Sequence, residues 1–419
     1  MNYLDSLYWI LEREKHGIKP GIKRMQWMLD AMDNPQDNIK GIHVVGTNGK
    51  GSTVTFLRSA LVHNGYEVGT FTSPHIDTFN ERISINGEPI SDDDIAFIAT
   101  KVREVVEQLE TQTTLGAPTE FEVITMMMFY YFGAVRTVDF VVVEAGLGAL
   151  NDSTNVFKPI LSILTSISLD HTNILGETML DIAKDKAAVV KLGVPFVYHV
   201  DDLEIEGYIN DVVEKNHTKG IKLNRDFVVV HNEKEFNFRW NEYEFNDIEL
   251  EMKGTHQHNN ASLAIASLVE MHKRGVATID FNKMIDGIEE AKWQGRIETI
   301  REEPLTIVDG AHNTESIQAL IDTMEMYYPD REITILFSAI DGKPIRTMIE
   351  QLEPIAKEFF VTTFDYPKAL PADSLYEEID HDYKGIVKDY REFIEHFEGD
   401  LLLVTGSLYF VSQVKEGMK

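Results

Sequence analysis

A chain of 419 residues with 43% apolar content is too long for one comfortable core and apolar enough to bury two, so the length implies two domains. Its formal charge of -30 repels nucleic-acid phosphates and anionic lipid, so an anionic ligand needs a local basic or amide-lined pocket. The absence of cysteine excludes disulfides, thiolate metal sites and a thiol nucleophile, and fits a reducing compartment.

The opening segment "MNYLDSLYWILEREKHG" carries acids early and no long apolar core, which predicts an amphipathic helix rather than a signal peptide. No later stretch is long and apolar enough to span a bilayer, and the expected location is cytoplasmic. From Lys40 to Thr72 an apolar run, a glycine turn, a helix-period stretch through Val54, Leu57 and Leu61, and a second apolar run predict a β-α-β unit. "VDFVVVE", "PILSILTSISLDH" and "VPFVYHV" supply further buried strands, with a helix at "TMLDIAKDKAAVVK" between the last two. Such alternation predicts a mostly parallel sheet covered on both faces. "FVVVHNEKEFNFRWNEYEFNDIELEM" alternates apolar and polar residues and predicts a small antiparallel patch, followed by two helices at "HQHNNASLAIASLVEMHKRG" and "DFNKMIDGIEEA". Near "KWQGRIE" the β-α alternation restarts, through "PLTIVDGAHN", "EITILFSAI", "KEFFVTTF" and "LLLVTGSLYF". The expected class is therefore α/β: a P-loop-containing domain over residues 1–296 and a smaller, Rossmann-like α/β domain over 297–419.

The turn "HVVGTNGKGST" is the most specific local feature. A strand feeding a turn and then a helix leaves unpaired amides and a positive dipole end, which suit phosphate oxygens. In Thr47, Asn48, Gly49, Lys50, Gly51, Ser52 and Thr53 the glycines admit close approach, Lys50 reaches toward the β- and γ-phosphates, and Ser52 or Thr53 faces the metal side. Gly51 interrupts the common Gly-Lys-Ser/Thr spelling; the alternative is a tight turn with an exposed lysine. Ser73, Glu144 and Asp170-His171 end other predicted strands, and the carboxyl ends of parallel strands converge on one crevice. Magnesium prefers oxygen ligands, which Ser73 and Glu144 suit better than a histidine does. Taken singly, each has an ordinary reading as a cap, strand end or loop residue.

The segments "GTNGKGST", "TSPHIDTFNERISINGEPIS", "EAGLGALNDSTNV", "LDHTNILGETMLDIAKDKAAVVK", "GTHQHNNA", "WQGRIE", "DGAHN" and "LLVTGSLYFV" resemble, in order and spacing, the folylpolyglutamate synthase and dihydrofolate synthase family of Mur-ligase-like, ATP-dependent amide-forming enzymes. The resemblance runs from about residue 20 to the C-terminus. It implies that Ser73, Glu144 and His171 are magnesium ligands, and that Lys186 becomes carbamylated to serve beside a second ion. It implies nucleotide contacts at Asn260, Arg296, Asp309 and His312, with Asp309 ending a strand and His312 opening the following helix, and pterin-side binding at Thr119, Glu120, Phe121, Glu122, Asn151, Asp152 and Ser153. His171 has an acid–base role as its alternative, and Lys343 is a candidate for the glutamate pocket. Ala149 and Leu150 stand where the family commonly has Gly and Arg, which leaves both folate and dihydropteroate open as acceptors.

The implied reaction consumes ATP with magnesium: the acceptor carboxylate attacks the γ-phosphate, the acyl phosphate is captured by the amino group of L-glutamate, and an amide, ADP and phosphate result. Expected partners are these small molecules, with no nucleic acid or membrane, and the family precedent implies a monomer. A ligase for peptidoglycan precursors would need a uridine-nucleotide domain ahead of the turn, where only about 40 residues stand. A P-loop ATPase or switch, the reading from another class, would turn ATP over without an amino acid.

Overall fold

The computed structural model describes residues 1–418. In chain order the N-terminal half runs α1 (Tyr3–Leu11), α2 (Lys23–Ala31), β1 (Gly41–Val45), α3 (Lys50–His63), β2 (Val68–Phe71), β3 (Ile83–Ile85), β4 (Glu88–Pro89), α4 (Asp92–Gln112), α5 (Glu120–Tyr130), β5 (Phe140–Glu144), β6 (Leu161–Leu164), α6 (Thr172–Leu175), α7 (Met179–Lys186), β7 (Phe196–Tyr198), α8 (Leu203–Lys215) and β8 (Gly220–Lys222). Then come β9 (Val228–Asn232), β10 (Glu235–Trp240), β11 (Tyr243–Glu249), α9 (Thr255–Lys273) and α10 (Phe281–Glu289). The C-terminal part holds β12 (Glu298–Arg301), β13 (Leu305–Val308), α11 (Thr314–Tyr327), β14 (Ile333–Phe337), α12 (Ile345–Leu352), β15 (Ala356–Val361), α13 (Ala372–Glu377), β16 (Lys384–Ile386), α14 (Tyr390–Glu395), β17 (Leu401–Thr405) and α15 (Leu408–Gly417).

Eight strands form the first sheet in the order β4-β3-β2-β5-β1-β6-β7-β8, parallel from β2 to β8 and closed on one edge by the antiparallel β3 and β4. Side-chain alternation explains its double covering. On β5, Phe140 and Val142 enter a core shared with α3, α9 and α10, whereas Val141 and Val143 enter one shared with α2, α4 and α5. Met126, Met127 and Met128 of α5 are fully buried in that second core. The antiparallel patch is a three-stranded sheet, β11-β10-β9, whose Phe236, Phe238 and Trp240 pack into the first core.

A six-stranded sheet follows, β12-β13-β17-β14-β15-β16, parallel except for β12. Leu401 and Leu403 of β17 face one core, and Leu402 and Val404 face the other. This is the expected α/β class, with a large, parallel-dominated sheet and a separate smaller one. The two parts touch along α15, where Ser412 Oγ donates to the Ile76 carbonyl and Lys415 Nζ lies 2.8 Å from Glu298 Oε1. Among the described residues no helix is long and apolar enough to cross a membrane.

Two expectations are corrected. Strand β6 stops at Leu164, so Asp170 and His171 sit on a loop well beyond its end. The loop forms because Thr165, Ser166 and Ser168 bond to the glycine turn instead of extending the ladder. His312 does not open a helix; Asn313 caps α11 by accepting from Ser316 N at 2.9 Å, and His312 precedes it.

Candidate active site

The turn of residues 46–49 joins β1 to α3, and its glycines are explained by close neighbours. Gly49 has φ 83°, and a Cβ there would lie 2.2 Å from Asn260 Oδ1 on α9. A Cβ on Gly51 would lie 2.8 Å from the Trp293 indole nitrogen. The glycine that breaks the common spelling therefore makes room for Trp293, a requirement that local sequence cannot reveal. The loop after β6 holds the turn: Thr47 N donates to Ser166 O at 2.9 Å, and Asn48 N donates to Ser166 Oγ at 3.0 Å. The amides free to meet an anion are thus those of the first turn of α3, which have no intrahelical partner. Ser52 and Thr53 are buried beneath that turn.

Two ammonium groups share one carbonyl oxygen. Lys50 Nζ donates to Gly46 O and Thr47 O, both at 3.1 Å, and Lys186 Nζ donates to the same Gly46 O at 2.9 Å. Lys186 is only 2% exposed, and burial followed by the nearby Lys50 charge pushes its amine down to about 7. Burial lowers Lys50 as well, against the opposing pull of Glu144 and Asp170. Glu144, at the end of β5, is buried, and desolvation pushes its carboxyl up to about 7 although Lys50 and the Ser73 amide, 3.4 Å away, favour the charged form. A lysine amine and a carboxyl therefore both sit near neutrality in one crevice, where small changes of charge alter their protonation.

The C-terminal part closes over this crevice. Asp170 Oδ1 accepts from Lys343 Nζ at 2.6 Å, and His312 Nε2 lies 3.7 Å from its other oxygen. Burial alone would raise Asp170, but His312 and Lys343 hold it well below the usual carboxylate range. His171, beside it, has left-handed backbone with φ 49° and a half-exposed ring. Asn48 and Asn313 exchange amide hydrogen bonds at 2.9 and 3.3 Å, and Asn48 Nδ2 also donates to Glu315 at 2.7 Å. Sequence reasoning placed Asp170 in the crevice only as a strand-end group, assigned no function to Asn313 or Glu315, and placed Lys343 without a partner. Asp309, just past β13, accepts from Ile297 N at 2.9 Å and Ala311 N at 2.8 Å, and desolvation raises its carboxyl against the attraction of Arg296.

The pterin-side residues behave differently. Thr119 caps α5 by accepting from Glu122 N at 3.2 Å, while Glu122 accepts from Thr119 N at 2.8 Å and from Arg24 Nε at 2.8 Å. Glu120 pairs with Arg82 at 2.6 Å, and the Phe121 ring lies over Gly146. Asp152 accepts from Leu147 N and Thr154 N, both at 2.9 Å; Ser153 is buried, and Asn151 is exposed, its carbonyl accepting from Gly21 N. Ala149 is buried and Leu150 is 54% exposed.

Among the described residues no group of three or more His, Cys, Asp or Glu is placed to hold a metal ion. A cavity of about 620 Å³ lies in the C-terminal part beside Phe360, Phe393 and Phe397, and none of the residues above lines it.

Comparison with known proteins places this geometry. Residues 44–268 match the Mur ligase middle domain, and 295–408 match the Mur ligase, glutamate ligase domain. The chain is 41% identical, over 100% of its length and 99% of the relative's, to a dihydrofolate synthase/folylpolyglutamate synthase of Bacillus subtilis. It is 32% identical to a folylpolyglutamate synthase of Lacticaseibacillus casei, covering 99% of this chain and 98% of that one. A folylpolyglutamate synthase of Mycobacterium tuberculosis complexed with ADP superposes with a TM-score of 0.91 at 26% identity, over 99% and 98% of the two chains. With identity and fold agreeing from end to end, the chain belongs to the dihydrofolate synthase/folylpolyglutamate synthase family of Mur ligases.

Proposed function

We propose that this protein is an ATP-dependent ligase that joins the amino group of L-glutamate to a carboxylate of a reduced folate, releasing ADP and phosphate. The observation that carries the proposal is the Gly46 carbonyl shared by Lys50 and Lys186 beside Glu144, under Lys343 and His312 of the C-terminal part. A carboxylate is a poor electrophile and must be activated. Lys50 and the α3 amides neutralise the γ-phosphate while the acceptor carboxylate attacks it, and the acyl phosphate then yields its carbon to the glutamate amine. The crevice lies between the two halves, where closure excludes the water that would hydrolyse an acyl phosphate.

In this reading Thr47, Asn48, Gly49, Lys50, Gly51, Ser52, Thr53, Asn260, Arg296, Asp309 and His312 surround ATP, and the division between domains falls at 296/297. Ser73, Glu144 and His171 would hold magnesium, and the donor chemistry fits: Glu144 is a buried carboxyl pushed up to about 7, which an adjacent cation would ionise. Bound there, the ion supplies charge neutralisation at the γ-phosphate. Lys186, with its amine pushed down to about 7, can add carbon dioxide; an N–C bond forms, a proton leaves, and a carboxylate ligand replaces an ammonium. Thr119–Glu122 and Asn151–Ser153 shape the pterin side. The enzyme works as a cytoplasmic monomer.

The B. subtilis relative carries both synthase names, which favours dihydropteroate as a second acceptor. The test is ADP release with ATP, magnesium and L-glutamate, comparing no acceptor, dihydropteroate and a reduced folate monoglutamate. Release with the folate alone indicates a polyglutamate synthase, and release with both indicates a bifunctional enzyme. Release without any acceptor would sink the ligase reading in favour of a nucleotide switch.

A further inference from the structure

Three stacked rings stand at the junction of the two parts and take no role in the chemistry above. Phe364 is buried against Phe410, its ring centroid 5.5 Å away. Tyr366 stacks on Phe364 at 6.0 Å and 11°, and Tyr409 stacks on Tyr366 at 4.4 Å and 17°. Tyr409 ends the ladder, 37% exposed.

The position of the ladder follows from α15. This helix starts at the carboxyl end of β17, and its Ser412 donates to Ile76 O while Lys415 reaches Glu298 at 2.8 Å and Asp77 at 4.0 Å. Tyr409 stands three residues before Ser412 on the same helix, so the end of the stack lies within one turn of the contact with the loop after Ser73. Gln413 donates to Asp365 O at 2.7 Å and accepts from Asp365 N at 3.2 Å, which fixes the Tyr366 loop to the same helix. Glu14 and Glu120 of the N-terminal part both add to the raising of the Tyr366 phenol, after burial and Tyr409, so both carboxylates lie within electrostatic reach of the stack.

A stack held on one side and open on the other offers a planar, immobile π face, which suits an aryl ring better than an aliphatic or charged group. Its helix meets the loop that begins at Ser73 through Ser412 and Lys415, and that loop reaches the crevice where Ser73 N lies 3.4 Å from Glu144. In a folate the p-aminobenzoyl ring is the aromatic group nearest that carboxylate, and the pterin lies beyond it. We infer that the Tyr366–Tyr409 stack is the platform for the p-aminobenzoyl ring of the acceptor, an inference that rests on the folate reading above.

The test uses full-length Tyr409→Leu and Tyr366→Leu with saturating ATP and L-glutamate. The expected result is a rise in acceptor KM of about 2- to 12-fold, the size of a lost aromatic pair. KM for ATP and the melting temperature stay at their wild-type values. Inhibition by p-aminobenzoyl-L-glutamate, which keeps the ring and lacks the pterin, weakens by the same factor, and Tyr409→Phe restores it. An acceptor KM within about twofold of wild type, an inhibitor constant that does not move, or a parallel rise in KM for ATP overturns the platform. Wild-type protein with no acceptor-dependent ADP release overturns the folate reading and the platform with it; an active wild type with unaffected leucine variants overturns the platform alone.

Discussion

The crevice at the glycine turn and the segments on the proposed pterin side are both rich in buried charge, but they use it in opposite ways. Around Lys50, charges remain incompletely matched: two amines compete for one carbonyl, and Glu144 and Lys186 are pushed to about 7 from opposite directions. Along Thr119–Glu122 and Asn151–Ser153 the acids are spent on neighbouring amides and arginines, in a capping box, in the Arg24 and Arg82 pairs and in the Asp152 clamp. A carboxylate satisfied from within shapes a wall, whereas one left unsatisfied is available to a ligand.

This contrast can be broken at several points. Replacing Lys50 with Met should lower acceptor-dependent ADP release by about 10³-fold without lowering the melting temperature, because it removes both the charge facing the γ-phosphate and a buried amine that favours neutrality. Glu122→Ala should do the reverse. It strands Arg24 and uncaps α5, so urea denaturation should show a loss of about 3 kcal/mol, while turnover per folded molecule stays close to wild type. A raised acceptor KM at unchanged stability would instead make Glu122 a direct substrate contact. Asp170→Asn should be milder, cutting turnover by roughly tenfold, since Lys343 and His312 lose a charge-assisted partner across the junction.

The smallest effect is a pH dependence. Burial pushes the Glu144 carboxyl up to about 7 from its ordinary value of 4.5, so the folded state holds its proton more tightly. Stability without metal should therefore fall as pH rises through that window, and magnesium should relieve the cost once the carboxyl ionises. Magnesium should accordingly raise the melting temperature more at pH 8 than at pH 6; equal shifts would separate Glu144 from the ion.

The parallel strands were legible because burial on both faces writes them as unbroken apolar runs, as in "FVVVE" and "GIHVV". The edges were not. Glu88–Pro89 and Lys384–Ile386 are two and three residues long, and neither has periodicity to read. At the site, the turn and its lysine declared themselves through local spacing, whereas Trp293 behind Gly51, Lys343 on Asp170 and Asn313 on Asn48 are contacts between residues more than 170 positions apart in the chain. A strand pattern also overran its true end in "SISLDH", because the serines between its apolar residues bond to the turn instead of continuing the strand.

The paired amides of Asn48 and Asn313 tie the turn proposed to hold the phosphates to the opposite half of the molecule. The turn and the seam between the halves are therefore held by the same pair of amides, so loosening one loosens the other.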